Sequence, residues 1–266
     1  MEYLDKYIPK ELLALKINYC RKRLKELPKT SMSNYKINGK QTRIIRADNH
    51  RFILNKPKGQ ELYKAMAERD DLECRLKIYE AIWDRYYRTP VPAFDPPRIV
   101  RTISGANNER IVMNKAFFDS LKNDANTMYP KPMLYPFNGI QYRSDVERQI
   151  AIGYTEMTVP FKYEPELWLA GMNRPVFPDF LLYIPELETC KIHEHYGLMN
   201  FAKYVRDAKL KSCTYIDAGL HMDQDVFFTY NTEDQPFDLR YVPAKLNGVI
   251  YGDLIRSNEW INNSSL

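Results

Sequence analysis

The residues best suited to chemistry lie in "PDFLLYIPELETCKIHEHYG", from Pro178 to Gly197. Asp179 sits in an apolar run, Val176 to Ile184, broken only by that carboxylate and by Pro178. A strand apolar on both faces belongs in the middle of a sheet, where an acid is costly unless neutralised, paired or metal-bound. Glu194 follows in the next strand-like run, behind Ile192. Two acids brought together by a hairpin-like return repel each other. A hard divalent cation resolves the repulsion, because Mg²⁺ takes one or two carboxylates and fills its shell with water and phosphate oxygens. Water bound there is activated as a nucleophile while charge developing on phosphate is stabilised.

The two histidines suggest a different ion. His193-x-His195 places both imidazoles on one face of a strand and Glu194 on the other. A zinc site needs further ligands, and His221, Cys190 and Cys213 show no metal-binding spacing. Glu194 is therefore the chemically interesting member, and His193 is expected as a partly exposed strand histidine. A third acid, Glu147 in "YRSDVERQIAIGY", has two readings. Ser144-x-x-Glu147 is a capping box, and on spacing alone capping is the simpler account. Yet Glu147 also falls on the stripe of Ile150, Ala151 and Tyr154, the face that should look at a sheet.

The elements that must position these acids follow from periodicity. Ser144 to about Glu156 reads as a helix, and "VPFKYEPELWL", "RPVFPDFLLYI" and "TCKIHEHYG" as three short strands. A helix over about Asn200 to Asp217, a strand at "QDVFFTY" and a last helix broken at its start by Pro243 complete the region. Clustered strands with flanking helices predict a mixed sheet covered by helices.

The ordered set Gly139-x-x-x-Arg143-Ser144-x-x-Glu147-x-x-Ile150-Ala151, Tyr163-Glu164, Pro178-Asp179-Phe180, Glu194-His195-x-Gly197, Tyr204 and Lys211-x-x-x-Tyr215 resembles the PD-(D/E)xK nuclease superfamily. It is nearest to the branch in which "EHxG" replaces ExK. The resemblance covers about residues 139 to 250, and it implies a restriction-endonuclease-like α/β core. It also implies Mg²⁺- or Mn²⁺-dependent cleavage of phosphodiester bonds, with nucleic acid, most naturally DNA, as the partner. Asp179 and Glu194 would then be metal ligands, and Glu147 a ligand or orienting acid. His195 would support the fold or the site. Tyr196 stands where ExK has lysine, and the cation of this branch looks displaced onto the next helix, where Lys211 matches. Asn200, Tyr204, Ala208, Lys211 and Tyr215 share one helical face, from which a lysine can reach the sheet edge and act on a phosphate.

The front of the chain reads differently. Residues 1–90 hold 21 Lys and Arg against 12 Asp and Glu, so the protein's net charge of +5 hides a basic first third and a mildly acidic remainder. Leu13, Ile17, Cys20, Leu24 and Leu27 form one helical stripe, and Leu72, Leu76, Tyr79, Trp83 and Tyr86 another. Between them Asn38-Gly39 sits in "YKINGKQTRIIR", a hairpin signal. Residues 1–88 are thus expected as a basic helical-hairpin lobe, 89–138 as a Pro-rich linker with a short helix, and 139–266 as the nuclease-like core. Phosphate contacts by the Arg43, Arg46, Arg51, Lys56 and Lys58 region would add affinity without sequence specificity. The same charges also fit a solvated face, and the N-terminal helices a homo-oligomer or protein-partner surface.

Four cysteines without a CxxC pair and the lack of a membrane-length apolar run lead us to expect a cytoplasmic protein with no membrane partner. Two other classes stay open at this point. One is a catalytically inactive nuclease fold that binds nucleic acid or protein, and the other a zinc-stabilised interaction protein.

Overall fold

The computed structural model describes residues 8–37, 40–131, 133–197, 201–232 and 234–257. The protein is mixed α/β, and it divides into two compact units, Pro9–Pro96 and the chain from Pro97 onward.

The first unit is built on the two helical stripes. Helix α1 (Lys10–Glu26) buries Leu12, Leu13, Ile17 and Cys20 and gives way to extended backbone at Leu27, which precedes Pro28. Helix α2 (Pro57–Tyr86) begins with proline at its first turn, where the missing N–H costs nothing. Leu72 packs with Cys20 and Leu27, while Arg21–Glu80 (2.7 Å) and Arg23–Glu68 (2.7 Å) tie the two helices on their flanks. Arg69 Nη1 donates to the carbonyls of Leu24 and Leu27, which the end of α1 leaves without helical partners. Tyr86, expected on the buried stripe, is 49% exposed, whereas Trp83 three residues earlier is fully buried. Strands β1 (Thr30–Ile37) and β2 (Lys40–Ala47) pair antiparallel as expected of the hairpin, with its Asn38-Gly39 turn outside the described residues. A third strand, β3 (His50–Ile53), which periodicity did not announce, pairs with β2. Ile45, Ala47 and Leu62 close this small sheet onto α2.

The second unit begins earlier than the motif region. Strands β4 (Thr102–Ser104) and β5 (Arg110–Val112), helix α3 (Lys115–Ser120) and strand β6 (Tyr135–Phe137) occupy the segment expected as linker. Ile103, Met113 and Phe118 from this segment are buried in the main core, so it is part of that unit and not a spacer. The short helix expected there is α3, whereas the prolines masked the three-residue strands, which carry too little periodicity to be read alone.

Strand β7 (Ile140–Tyr142) pairs with β6, and helix α4 (Asp145–Glu156) follows. A four-stranded sheet comes next, in spatial order β11-β10-β9-β8. β8 (Phe161–Tyr163), β9 (Phe180–Ile184) and β10 (Thr189–Tyr196) form an antiparallel meander. Helix α5 (Ala202–Asp217) then crosses over to β11 (Val226–Tyr230), which lies parallel to β10. Helix α6 (Tyr241–Arg256) completes the unit, with Pro243 in its first turn.

Helices cover both faces of the sheet. On one face Leu181, Tyr183, Ile192 and Val226 pack with Tyr215 of α5. On the other, Tyr154 of α4 and Phe180 surround His193, which stacks on Phe227 with ring centroids 4.6 Å apart. That second face also buries Lys191 completely, in an ion pair with Asp253 of α6 (2.5 Å) and 3.9 Å from Asp225. Arg101 holds the other side of Asp225 through Nε (2.8 Å) and Nη2. No helix among the described residues is long and apolar enough to cross a membrane.

Candidate active site

Asp179 ends the approach to β9, one residue before the strand begins. The register that sets Phe180 against His193 brings Asp179 next to Glu194 on the α5 side of the sheet. Its Oδ2 accepts a hydrogen bond from the backbone N–H of His195 (2.7 Å), so the carboxylate is clipped across the two strands.

Glu194 is 1% exposed in the centre of the sheet. Lys211 Nζ, from α5, donates to Glu194 Oε2 (2.7 Å) and to the carbonyl of Phe177 (2.8 Å). Tyr215, one helical turn further, donates its hydroxyl to Glu194 Oε1. Both carboxyl oxygens are thus held by one helix, through residues four apart on one face. Burial raises the Glu194 carboxyl, Lys211 opposes it and Asp179 adds to it, leaving it at about 8 against an ordinary 4.5. For Lys211 burial acts to lower the pKa, but Glu194 and Asp179 outweigh it and the ammonium is held above its ordinary range. The lysine missing after Glu194 is therefore replaced in space by Lys211, while Tyr196 at that position stacks on Phe228 (5.4 Å).

Glu147 lies in the first turn of α4, which Ser144 caps by accepting from the Glu147 N–H (3.1 Å). Its side chain reaches past the cap residue to the N–H of Arg143 (3.1 Å) and accepts from the Tyr163 hydroxyl (2.6 Å). Only half of a capping box forms, and the other half has turned toward β8. Burial lifts the Glu147 carboxyl to about 7, the Asp179 charge adds to this, and the hydrogen bond from Tyr163 opposes it. The charge of Asp179 thus acts on Glu147, Glu194 and Lys211 alike, and these four residues form one electrostatic cluster drawn from α4, the approach to β9, β10 and α5.

The signal for two further members was weak. Glu164 follows Tyr163 in sequence, is 4% exposed and accepts from Arg143 Nε (2.5 Å) and Asn126 Nδ2 (3.0 Å) through Oε1. Its Oε2 is buried without a hydrogen-bond partner, and its backbone N–H donates to the Asp179 carbonyl (3.1 Å). Tyr215 had a place in the α5 stripe and, like Tyr163-Glu164, in the ordered motif set, but no role was assigned to it.

The histidines lie elsewhere. His193 is fully buried, not partly exposed, because α4 covers that face of the sheet. Hydrogen bonds link Tyr154 Oη with His193 Nδ1 (2.7 Å), His193 Nε2 with Thr229 Oγ1 (2.7 Å), Thr229 Oγ1 with His195 Nδ1 (2.9 Å), and His195 Nε2 with Asn231 Oδ1 (3.0 Å). With Asn231 Oδ1 accepting from His195 Nε2, neutral rings let the chain run in one direction, Tyr154 to His193 to Thr229 to His195 to Asn231, with each ring nitrogen engaged. Burial lowers both imidazole pKa values accordingly. Neither ring offers a lone pair to zinc.

Among the described residues no three Asp, Glu, His or Cys side chains stand close enough to form a metal cage as they are. The donor chemistry around Asp179 nevertheless suits a hard cation, being all oxygen, with a buried carboxylate oxygen of Glu164 still unpartnered.

In the first unit, Arg43, Arg46 and Arg51 lie exposed on the three-stranded sheet. Lys56 precedes α2, and Lys58 is paired with Glu61 (2.8 Å). No family model, curated protein or solved structure matches this chain.

Proposed function

We propose that the chain from about residue 139 is a restriction-endonuclease-like core that hydrolyses phosphodiester bonds, of DNA in the first instance, with Mg²⁺ or Mn²⁺. The observation that carries this reading is the meeting of Lys211 with Glu194 beside Asp179, three residues from separate segments that a structural role does not require together. The element order α4, β8-β9-β10, α5, β11 is the order of the superfamily the motifs resemble.

Asp179 and Glu194 would hold the ion, with Glu147 as a further ligand or as the acid that orients the site. Such an ion would supply an activated water and offset charge developing on the phosphate. Lys211, which donates to Glu194 Oε2, would set its positive charge beside a phosphate oxygen bound at this site. Tyr215 keeps one Glu194 oxygen oriented.

A second reading is a nuclease fold that binds without cutting. It is favoured by the occupation of both Glu194 oxygens by Lys211 and Tyr215. One comparison separates the two: cleavage of single- and double-stranded DNA with Mg²⁺ or Mn²⁺ by the native protein and by Asp179→Ala. Metal-dependent cleavage lost in Asp179→Ala supports the enzyme. Cleavage that survives the substitution in a clean preparation sinks the site assignment, and neither cleavage nor divalent-ion binding leaves the binding module.

A further inference from the structure

The first unit contains a surface that folding does not account for. No described residue of β1 is buried, nor is any of Lys40 to Arg43 on β2, whereas Ile44, Ile45 and Ala47 are. The sheet therefore has a base fastened to α2 and a distal two-stranded part without a core, an arrangement marginally stable in water by itself.

Charge is arranged on this ribbon in a definite way. Alternation and register place Lys36 and Arg43 on one face and Lys40, Arg46 and Arg51 on the other. Asp48 is the one acid between Thr30 and Ile53. Arg46 and Arg51 stand directly opposite each other on β2 and β3, a like-charge pair that a sheet disfavours. Their guanidinium groups both lie over the ring of Tyr35, at 5.4 and 5.3 Å from its centroid. No ion pair described in the structure engages either arginine. Two repelling planar cations held on one aromatic plate form a fork that an anion between them would relax.

Cations on both faces suit a slot walled by anions on both sides better than a single flat wall. The major groove of B-form DNA is such a slot, about 12 Å wide and about 8.5 Å deep, and it admits a two-stranded ribbon. From Asn34 to Ile37, the last described residue of β1, is about 10 Å at about 3.3 Å per residue, comparable to the depth of the groove. Gln41, on the face of Lys36 and Arg43 near the distal end, carries an amide of the kind that reads adenine edges.

We propose that the β1–β2 ribbon is a wedge that enters the major groove of double-stranded DNA, with Arg46 and Arg51 on Tyr35 as its phosphate clamp. The inference rests on the nucleic-acid reading above but concerns a different unit, so the two can fail separately.

The test uses the full chain in EDTA, so that no cleavage intervenes, and follows the fluorescence anisotropy of a labelled DNA duplex across a salt series. Loss of two phosphate contacts in R46Q/R51Q should make the slope of log affinity against log salt shallower by about 1.8, at about 0.9 per contact. R46K/R51K should keep the native slope, and both variants the native circular dichroism. Duplex RNA, whose deep, narrow major groove excludes the ribbon, should bind more weakly than duplex DNA. Unchanged affinity and slope in R46Q/R51Q overturn the wedge, as do equal losses in the lysine variant or native binding as tight to single strands as to duplex. Should the arginine variants bind like native protein while Asp179→Ala loses metal-dependent cleavage, the wedge falls and the hydrolytic reading stands. A shifted salt slope without cleavage under either metal does the reverse.

Discussion

Glu147 and Glu194 both hold protons well above the pH at which a solvated carboxyl loses them, at about 7 and about 8. Between their ordinary 4.5 and these values the folded protein binds more protons than the unfolded chain, so stability falls as pH rises through that window. Denaturant titrations of the metal-free protein should show this decline from about pH 4.5 to about pH 8, the window those values set. Metal binding must displace these protons, and Mg²⁺ or Mn²⁺ should therefore bind more tightly at pH 8 than at pH 6 and release protons on binding, which calorimetry in buffers of different ionisation enthalpy detects. Asp179 raises both carboxyls. Asp179→Asn should lower both, flatten the pH dependence and leave the metal-free protein no less stable near pH 8. A carboxyl carbon titration by NMR in which neither group moves would remove Asp179 from the cluster. Lys211→Met leaves Glu194 buried with Tyr215 alone and should cost about 1–3 kcal/mol in urea unfolding, the range for an unsatisfied buried polar group.

At the scale of elements, Gly59 shows how tightly the first unit is fitted. A Cβ there would lie 2.1 Å from the carbonyl oxygen of Ile53 and 2.9 Å from the Cα of Leu54, backbone atoms at the end of β3 that cannot swing away. Gly59→Ala should cost about 1–3 kcal/mol by overpacking although alanine favours helix, a sign opposite to propensity that a melting curve would reveal. The elements that could be read in advance are those with a long period. Leu13, Ile17 and Cys20 opposite Leu72 marked α1 and α2, and the step from Lys211 to Tyr215 marked the inner face of α5. β3, with only four residues, two of them His50 and Arg51, has too short a pattern to announce itself. The burial of His193 depended on Tyr154 and Thr229, 39 and 36 residues away, and that of Lys191 on Asp225 and Asp253. Alternation assigns a face to a strand residue, but the covering element decides whether that face is wet. Asp179 was legible because a carboxylate inside an apolar run conflicts with its surroundings, a conflict absent around Tyr163 and Tyr215, and Glu147 stood out as a site acid only through the ordered motif set.

For the whole molecule, the two units carry separate cores, one of Cys20, Leu27 and Leu72 and one around Leu181, Ile192 and Tyr215. Their charges differ as well, with the excess of Lys and Arg in the first unit and the buried carboxylates in the second. A ligand that binds only native protein raises the stability of the unit holding its site by about 2.7 kcal/mol at a hundredfold excess over Kd. Scanning calorimetry should accordingly resolve two transitions. Mg²⁺ at pH 8 should raise the one belonging to the unit of Asp179 and Glu194, and it should fail to do so in Asp179→Asn. Duplex DNA in EDTA should raise the other, and R46Q/R51Q should abolish that shift while leaving the Mg²⁺ response intact. A metal-induced shift equal in native protein and Asp179→Asn would place the ion elsewhere. Shifts that exchange units would place the nucleic-acid grip on the second unit and reduce the basic ribbon to a solvated face.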